Sequence, residues 1–201
     1  PAPGLWIPSG VTVFSKLYLQ GLAKACAQKG VRWQPRHITS LQQLAEYEQV
    51  VLATGEQTLQ FAECASVDFQ IVKGQTLLCR WNQQLPCSLI GMGHITATEQ
   101  ATLCQIGSTY EHSFEDARAN PDVAFELLQK AAAFYPPALD YEIQEVRAGL
   151  RIAPRTGYRP FAAKVASKAW VFSGLGSRGL LYHAVIGQKI AAAIVAGREE
   201  I

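Results

Sequence analysis

The stretch from Trp170 to Ile194 constrains the chain more than any other. Its opening, Trp170 to Ser173, is a short apolar run of strand type, and from Leu180 to Ile194 the apolar residues recur at helical spacing. Between them lies Gly174-Leu175-Gly176-Ser177-Arg178-Gly179, a strand-to-helix turn of the form G-x-G-x-x-G. Such a turn lets a ligand approach backbone N–H groups at the positive end of a helix. A dinucleotide fingerprint of this kind opens a βαβ unit and is followed by a second strand carrying an acidic residue. Glu199 and Glu200 stand at about that distance, but they follow Gly197 with no strand to hold them. The same residues therefore also suit a plain tight turn.

Upstream, the chain reads as two kinds of structure. Ser15 to Gln28 has the spacing of an amphipathic helix with Phe14, Leu17, Leu22, Ala25 and Cys26 toward a core, closed by Gly30. Val31 to Ile38 is a strand candidate weakened by Pro35, and Leu41 to Glu46 a short helix or turn. Val50-Val51-Leu52-Ala53-Thr54-Gly55 is a continuous apolar run ending in small residues, the pattern of a strand buried on both faces in a parallel sheet. From Phe69 the pattern changes: Phe69 to Arg80, Ser88 to Thr96 and Ala101 to Tyr110 follow one another as an antiparallel meander. Asn120-Pro121-Asp122 then opens a helix with Asn120 as its cap and Pro121 at its first position. Val123, Leu127, Leu128, Ala131 and Phe134 form its stripe, and Pro136-Pro137 stops it. The expected class is α+β: an antiparallel sheet with a flanking helix, plus strands and helices of an α/β portion.

Glu145 to Ile152 is the most informative strand. Val146, Ala148, Leu150 and Ile152 share one parity and Arg147, Gly149 and Arg151 the other, so a period of two sends the arginines away from the core face. A guanidinium at 151 suits a bidentate clamp for a carboxylate or phosphate, and equally a surface salt bridge.

Charged residues make up 17% of the 201, below the about 25% of an ordinary soluble domain, so much surface is buried or meets something else. The net charge of +2 decides little, but between Arg147 and Arg198 there are nine Lys or Arg and no Asp or Glu. That is a solvated basic face or an anion-binding one. Five cysteines (Cys26, Cys64, Cys79, Cys87, Cys104) lie in apolar contexts without C-x-x-C or a His cluster at metal spacing. They read as reduced residues of a cytoplasmic protein that holds no metal. No apolar run reaches the about 18 residues of a membrane span. The opening Pro1-Ala2-Pro3-Gly4-Leu5-Trp6-Ile7-Pro8 has no initiator Met and reads as a cut from a longer protein.

Together these stretches resemble the glycine oxidase and D-amino-acid oxidase family of FAD-dependent oxidoreductases. Within it, they are similar to the oxidoreductase half of the bifunctional enzymes that make 5-methylaminomethyl-2-thiouridine at the tRNA wobble position. The likeness is carried by Gly4 to Pro8 with the helix after it, Val50 to Gly55, Lys73-Gly74-Gln75, Gly93-His94-Ile95-Thr96, Ile106-Gly107-Ser108-Thr109-Tyr110, Ala148-Gly149-Leu150-Arg151 and Gly174 to Leu180.

The resemblance implies a chain that weaves between two domains: residues 1–66 on the flavin side, 67–154 in an antiparallel substrate domain, and 155–201 returning to the flavin side. By the family's pattern Arg151 holds the substrate carboxylate. His94 stands where relatives usually carry a tyrosine facing the substrate, and Tyr110 and His112 are strand-end residues that line the cleft. Gly174, Gly176, Ser177, Arg178, Gly179 and Leu180, with Thr54 and Gly55, would meet FAD. His183, on the apolar helix, reads as a packing histidine. The reaction implied is oxidation of a C–N bond in a small amine or amino acid, or removal of a carboxymethyl group from the modified uridine of tRNA. The family's N-terminal G-x-G-x-x-G, which seats the ADP half of FAD, is absent from this sequence, so the polypeptide by itself is expected to bind FAD poorly without that missing segment. The alternative is a non-catalytic module in which the basic segment binds an anion or RNA.

Overall fold

The computed structural model describes residues 4–157 and 159–201; Pro1, Ala2 and Pro3 of the opening stretch lie outside them. Among the described residues, three α-helices and eight strands carry the architecture: α1 (Ser15–Gln28), β1 (Val50–Leu52), β2 (Phe69–Arg80), β3 (Leu89–Ile90), β4 (His94–Ala97), β5 (Leu103–Gly107), α2 (Val123–Ala132), β6 (Glu142–Pro154), β7 (Phe161–Ala166), β8 (Ala169–Ser173) and α3 (Gly179–Val195). The strands form a three-stranded sheet in the order β1-β8-β7 and a five-stranded sheet in the order β3-β4-β5-β2-β6. The expected α+β class is what forms. The chain divides into two units of packing, one from the chain up to Pro35, Gln75–Thr109 and Arg118–Ala148, the other from Arg36–Gly74, Tyr110–Ala117 and Gly149–Ile201.

In the first unit the antiparallel register places apolar residues in line. Leu77 pairs with Ile106 and Cys79 with Cys104, and Ile95 pairs with Ile106 from the other side. Successive side chains alternate faces, so these five share one face. They pack against Leu127, Leu128 and Ala131 of α2, all buried. Trp81 closes this core while its indole donates to the Ala101 carbonyl at 2.8 Å, which satisfies the polar end of a buried ring.

In the second unit β8 is the central strand. It runs parallel to β1, with Val50 opposite Ala169 and Leu52 opposite Val171, and antiparallel to β7. Ala169 and Val171 join a core with Leu41, Val50, Leu52, Phe61 and Cys64. Trp170, of opposite parity, is buried with Ile190 and Ala193 of α3. The alternation of β8 thus feeds two cores, one on each face.

Five expectations are corrected. The apolar stripe of α1 has the right bounds, but none of its residues is buried. Val31 to Ile38 forms no strand. Val51 in β1 is 42% exposed, so this run is not covered on both faces. Ser88 to Thr96 is two short strands, because Gly91-Met92-Gly93 turns the chain and Gly91 donates to the Gly93 carbonyl at 2.8 Å. The second helix begins at Val123 rather than Pro121. Asn120 acts from just before it, its Oδ1 accepting the Asp122 N–H at 3.0 Å. The parity expected of 146–152 holds in β6, where Ile152 is buried and Arg147 and Gly149 are exposed.

Candidate functional site

In the second unit, the parallel pairing of β1 and β8 sends both strands out at the same end of their sheet. Beyond β1 comes Thr54-Gly55, exposed, with Gly55 at φ +58°. Beyond β8 comes the turn Gly174 to Arg178. Open α/β sheets take ligands at the carboxyl ends of their strands, and both glycine turns stand there.

The second turn is built from glycines for two reasons. Gly174 has φ +71° and Gly176 φ +53°, conformations that L side chains rarely adopt. An ideal Cβ on Gly174 would also lie 2.7 Å from Phe69 Cε1 and 3.3 Å from Pro154 Cδ. Gly176 to Arg178 makes a single 3-10 turn, and α3 follows for 17 residues. The first N–H groups of such a helix have no intrahelical acceptor, and its amino end favours negative charge.

A cavity of about 350 Å³ opens against this turn, lined by Gln70, Tyr110, His112, Ala153 to Arg155, Gly157 and Gly174 to Arg178. No carboxylate is among these residues. Its cations are unequal. The Arg155 guanidinium donates to Asp68 Oδ1 at 2.9 Å, and its backbone N–H donates to the Asp68 carbonyl at 3.0 Å, so its charge is balanced locally. Arg178 is exposed at the amino end of α3. Tyr110 and His112 meet edge to face, with ring centroids 5.2 Å apart. The Arg151 Cζ lies 5.9 Å from the Tyr110 ring centroid, a cation–π distance.

Of the residues singled out by sequence, Gly174, Gly176, Ser177, Arg178, Tyr110 and His112 line this cavity, and Arg151 touches its wall through Tyr110. Gly179 and Leu180 begin α3 just beyond. Thr54 and Gly55 are not in the lining; Thr54 Oγ1 instead lies 3.1 Å from Thr58 Oγ1. His94 belongs to the first unit, half-buried in β4 opposite Gly107 of β5. His183 Nδ1 lies 2.9 Å from the Gly179 carbonyl one turn earlier on α3, the contact of a packing histidine. Sequence reasoning missed Gln70 and Arg155. Gln70 carries no local signal, and Arg155 was one basic residue among nine.

Four of the nine cations of the basic run from Arg147 are engaged within the molecule. Arg147 pairs with Glu145, Arg155 with Asp68 and Lys164 with Glu199, while Lys168 donates to the carbonyls of Leu44, Ala45 and Tyr47. Among the described residues there is no cluster able to hold a metal ion and no helix long and apolar enough to cross a membrane.

A family model described as FAD dependent oxidoreductase matches residues 2–193. Among solved structures, the chain is similar to the glycine oxidase of Geobacillus kaustophilus at 22% identity and a TM-score of 0.65, over 76% of this chain and 42% of that one. The glycine oxidase of Bacillus cereus matches at 23% identity and 0.65, over 76% and 44%. The iminodiacetate oxidase of Chelativorans matches at 21% and 0.61, over 77% and 44%. The chain spans less than half the length of these structures, and at such identities they show the fold. No curated protein matches the chain. With the family model covering residues 2–193 of 201, the chain belongs to the family of FAD dependent oxidoreductases.

Proposed function

We propose that this chain forms part of an FAD-dependent amine or amino-acid oxidoreductase that oxidises the C–N bond of a carboxylate-bearing amine. One observation carries the reading. Arg151 lies against the Tyr110 ring at the wall of a cavity whose lining includes the glycine turn opening α3. A cation of the kind that clamps carboxylates and a helix end that favours negative charge thus meet one cavity wall, which supports the reading.

The residues present fit the ring end of a flavin. Gly174 and Gly176 offer backbone without side chains, no carboxylate is among the described lining residues, and the volume is in the range of cofactor sites. The family pattern assigns contacts with the cofactor to Gly174, Gly176, Ser177, Arg178, Gly179, Leu180, Thr54 and Gly55. When bound, the flavin supplies a hydride acceptor for the carbon next to the amine nitrogen. Arg151 would hold the substrate carboxylate and so fix that carbon's position. The amino end of α3 and Arg178 would favour negative charge arising beside them. Loss of hydride from carbon and of the N–H proton leaves an imine, and water splits it into an amine and an aldehyde.

The flavin side would be residues 1–66 and 155–201, and the substrate side 67–154. Within this class we favour an N-carboxymethyl amine, and specifically the carboxymethylaminomethyl group of a tRNA wobble uridine. The motifs from Gly93 to Thr96 and Ile106 to Tyr110 support that choice. His94, standing where relatives usually carry a tyrosine facing the substrate, is proposed as a substrate contact. The five free cysteines support a reducing compartment, the cytoplasm.

An RNA strip along the basic run is less well supported, because four of its nine cations are spent on Glu145, Asp68, Glu199 and three carbonyls. The deciding experiment is Arg151→Ala in the flavin-loaded protein. KM for a carboxylate-bearing amine should rise by about tenfold or more with flavin content unchanged. An unchanged KM would reject the carboxylate role.

A further inference from the structure

Strand β2 has β6, the strand of Arg151, as its neighbour on one side. On the other side Lys73 and Glu111 exchange both backbone hydrogen bonds, each at 2.9 Å. That exchange sets the next residue of β2, Gly74, level with Tyr110. Side chains on a strand stand roughly perpendicular to the sheet, so an arginine on β6 would ordinarily project away from it. Arg151 instead lies down across β2. An ideal Cβ built on Gly74 would fall on the Arg151 guanidinium, its three nearest atoms being Nη1, Cζ and Nη2. Beyond that point the same guanidinium meets the Tyr110 ring at 5.9 Å.

The backbone at Gly74 does not itself demand glycine, because its φ is not positive. A glycine inside a strand weakens it and marks a place where another group approaches closely. Here that group is identified, and it is the cation to which substrate binding is assigned. The three atoms nearest such a Cβ all belong to the far end of a flexible side chain and none to backbone. A methyl group at 74 would therefore be accommodated by moving the guanidinium, not by opening the sheet.

We propose that Gly74 is a positioning residue, the notch across which Arg151 lies down against Tyr110, so that the orientation of the carboxylate clamp is set by an absent side chain on the neighbouring strand. This rests on the carboxylate role of Arg151 proposed above. Gly74 itself touches no reacting atom.

The test uses the flavin-loaded, full-length protein with acetate as the carboxylate probe, titrated calorimetrically, beside thermal midpoints. Gly74→Ala should weaken acetate by about tenfold or more while the thermal midpoint stays near that of the parent. Gly74→Ala combined with Arg151→Ala should bind acetate no worse than Arg151→Ala alone, since both changes remove one interaction. If Arg151→Ala weakens acetate and Gly74→Ala does not, the positioning role is overturned and the carboxylate role stands. A Gly74→Ala protein that melts much earlier also overturns it, because the guanidinium has then not yielded. If the parent binds no acetate, or Arg151→Ala binds it equally well, the carboxylate reading falls first.

Discussion

Thr58 Oγ1 donates a hydrogen bond to Ser173 Oγ at 3.2 Å, joining two buried hydroxyls 115 positions apart. Thr58 also lies 3.1 Å from Thr54 Oγ1. The chain leaving β1 is thereby tied to the last residue of β8, immediately before the glycine turn. Thr58→Val keeps the shape and leaves the Ser173 hydroxyl buried without this partner. It should cost about 1–3 kcal/mol, read as a lower denaturant midpoint, and on the proposed function it should weaken flavin binding in the full-length protein because the turn loses its anchor.

Gly174→Ala attacks the turn directly. The added carbon meets Phe69 Cε1 at 2.7 Å in a residue held at φ +71°. A loss of about 1–3 kcal/mol is expected, and on the proposed function the flavin spectrum of the full-length protein should be reduced at equal protein concentration. A variant with parental stability and flavin content would show that the turn can be rebuilt around a side chain.

Lys168 Nζ donates to three carbonyls, those of Leu44 at 3.2 Å, Ala45 at 2.7 Å and Tyr47 at 3.1 Å. It closes the loop that leads into β1. Lys168→Met retains most of the stem and removes all three donors, so a loss of about 1–2 kcal/mol in chemical unfolding is expected. Affinity for a model RNA should not change in step with it.

The facing thiols of Cys79 and Cys104 titrate far above the ordinary thiol range. Burial pushes Cys79 up to about 11 and, with Cys79 beside it, Cys104 to about 12. An unfolded thiol ionises near about 8.5. The folded state therefore holds its protons longer, and this contribution to stability is complete below that value and is lost progressively as pH rises from there to 11 to 12. Denaturant midpoints should fall steeply over that interval, and less so in Cys79→Ala. At pH about 8, a thiol reagent should label exposed Cys26 in the native protein and reach Cys79 and Cys104 only after unfolding.

Much of this architecture was legible where one physical signal dominated. The alternation at 146–152 holds because one face of β6 turns to a core, and the strand–turn–helix from Trp170 holds because Trp170 and α3 pack together. Three of the failures share a cause. Periodicity tells which residues share a face, not whether anything covers it, so the stripe of α1 and the apolar Val51 were read as buried. Val31 to Ile38 has strand-forming residues but no strand to pair with; Arg36 instead donates to Glu46 and the Gln43 carbonyl. The opposite error hides β7. Phe161-Ala-Ala-Lys-Val-Ala has weak strand propensity and is held by its antiparallel register with β8. Gly74 looked like any glycine, since the group that requires it lies on another strand.

The partner of β1 arrives late. Val50 pairs with Ala169, and the whole antiparallel meander is encoded between them. During translation the meander and α2 can therefore assemble while β1 still waits, its hydrogen-bonding edge open, until the ribosome has passed Ser173. A release or stall inside that interval would leave an unpaired apolar strand available to other nascent chains, so premature termination in this gene should yield aggregates rather than a half-active product.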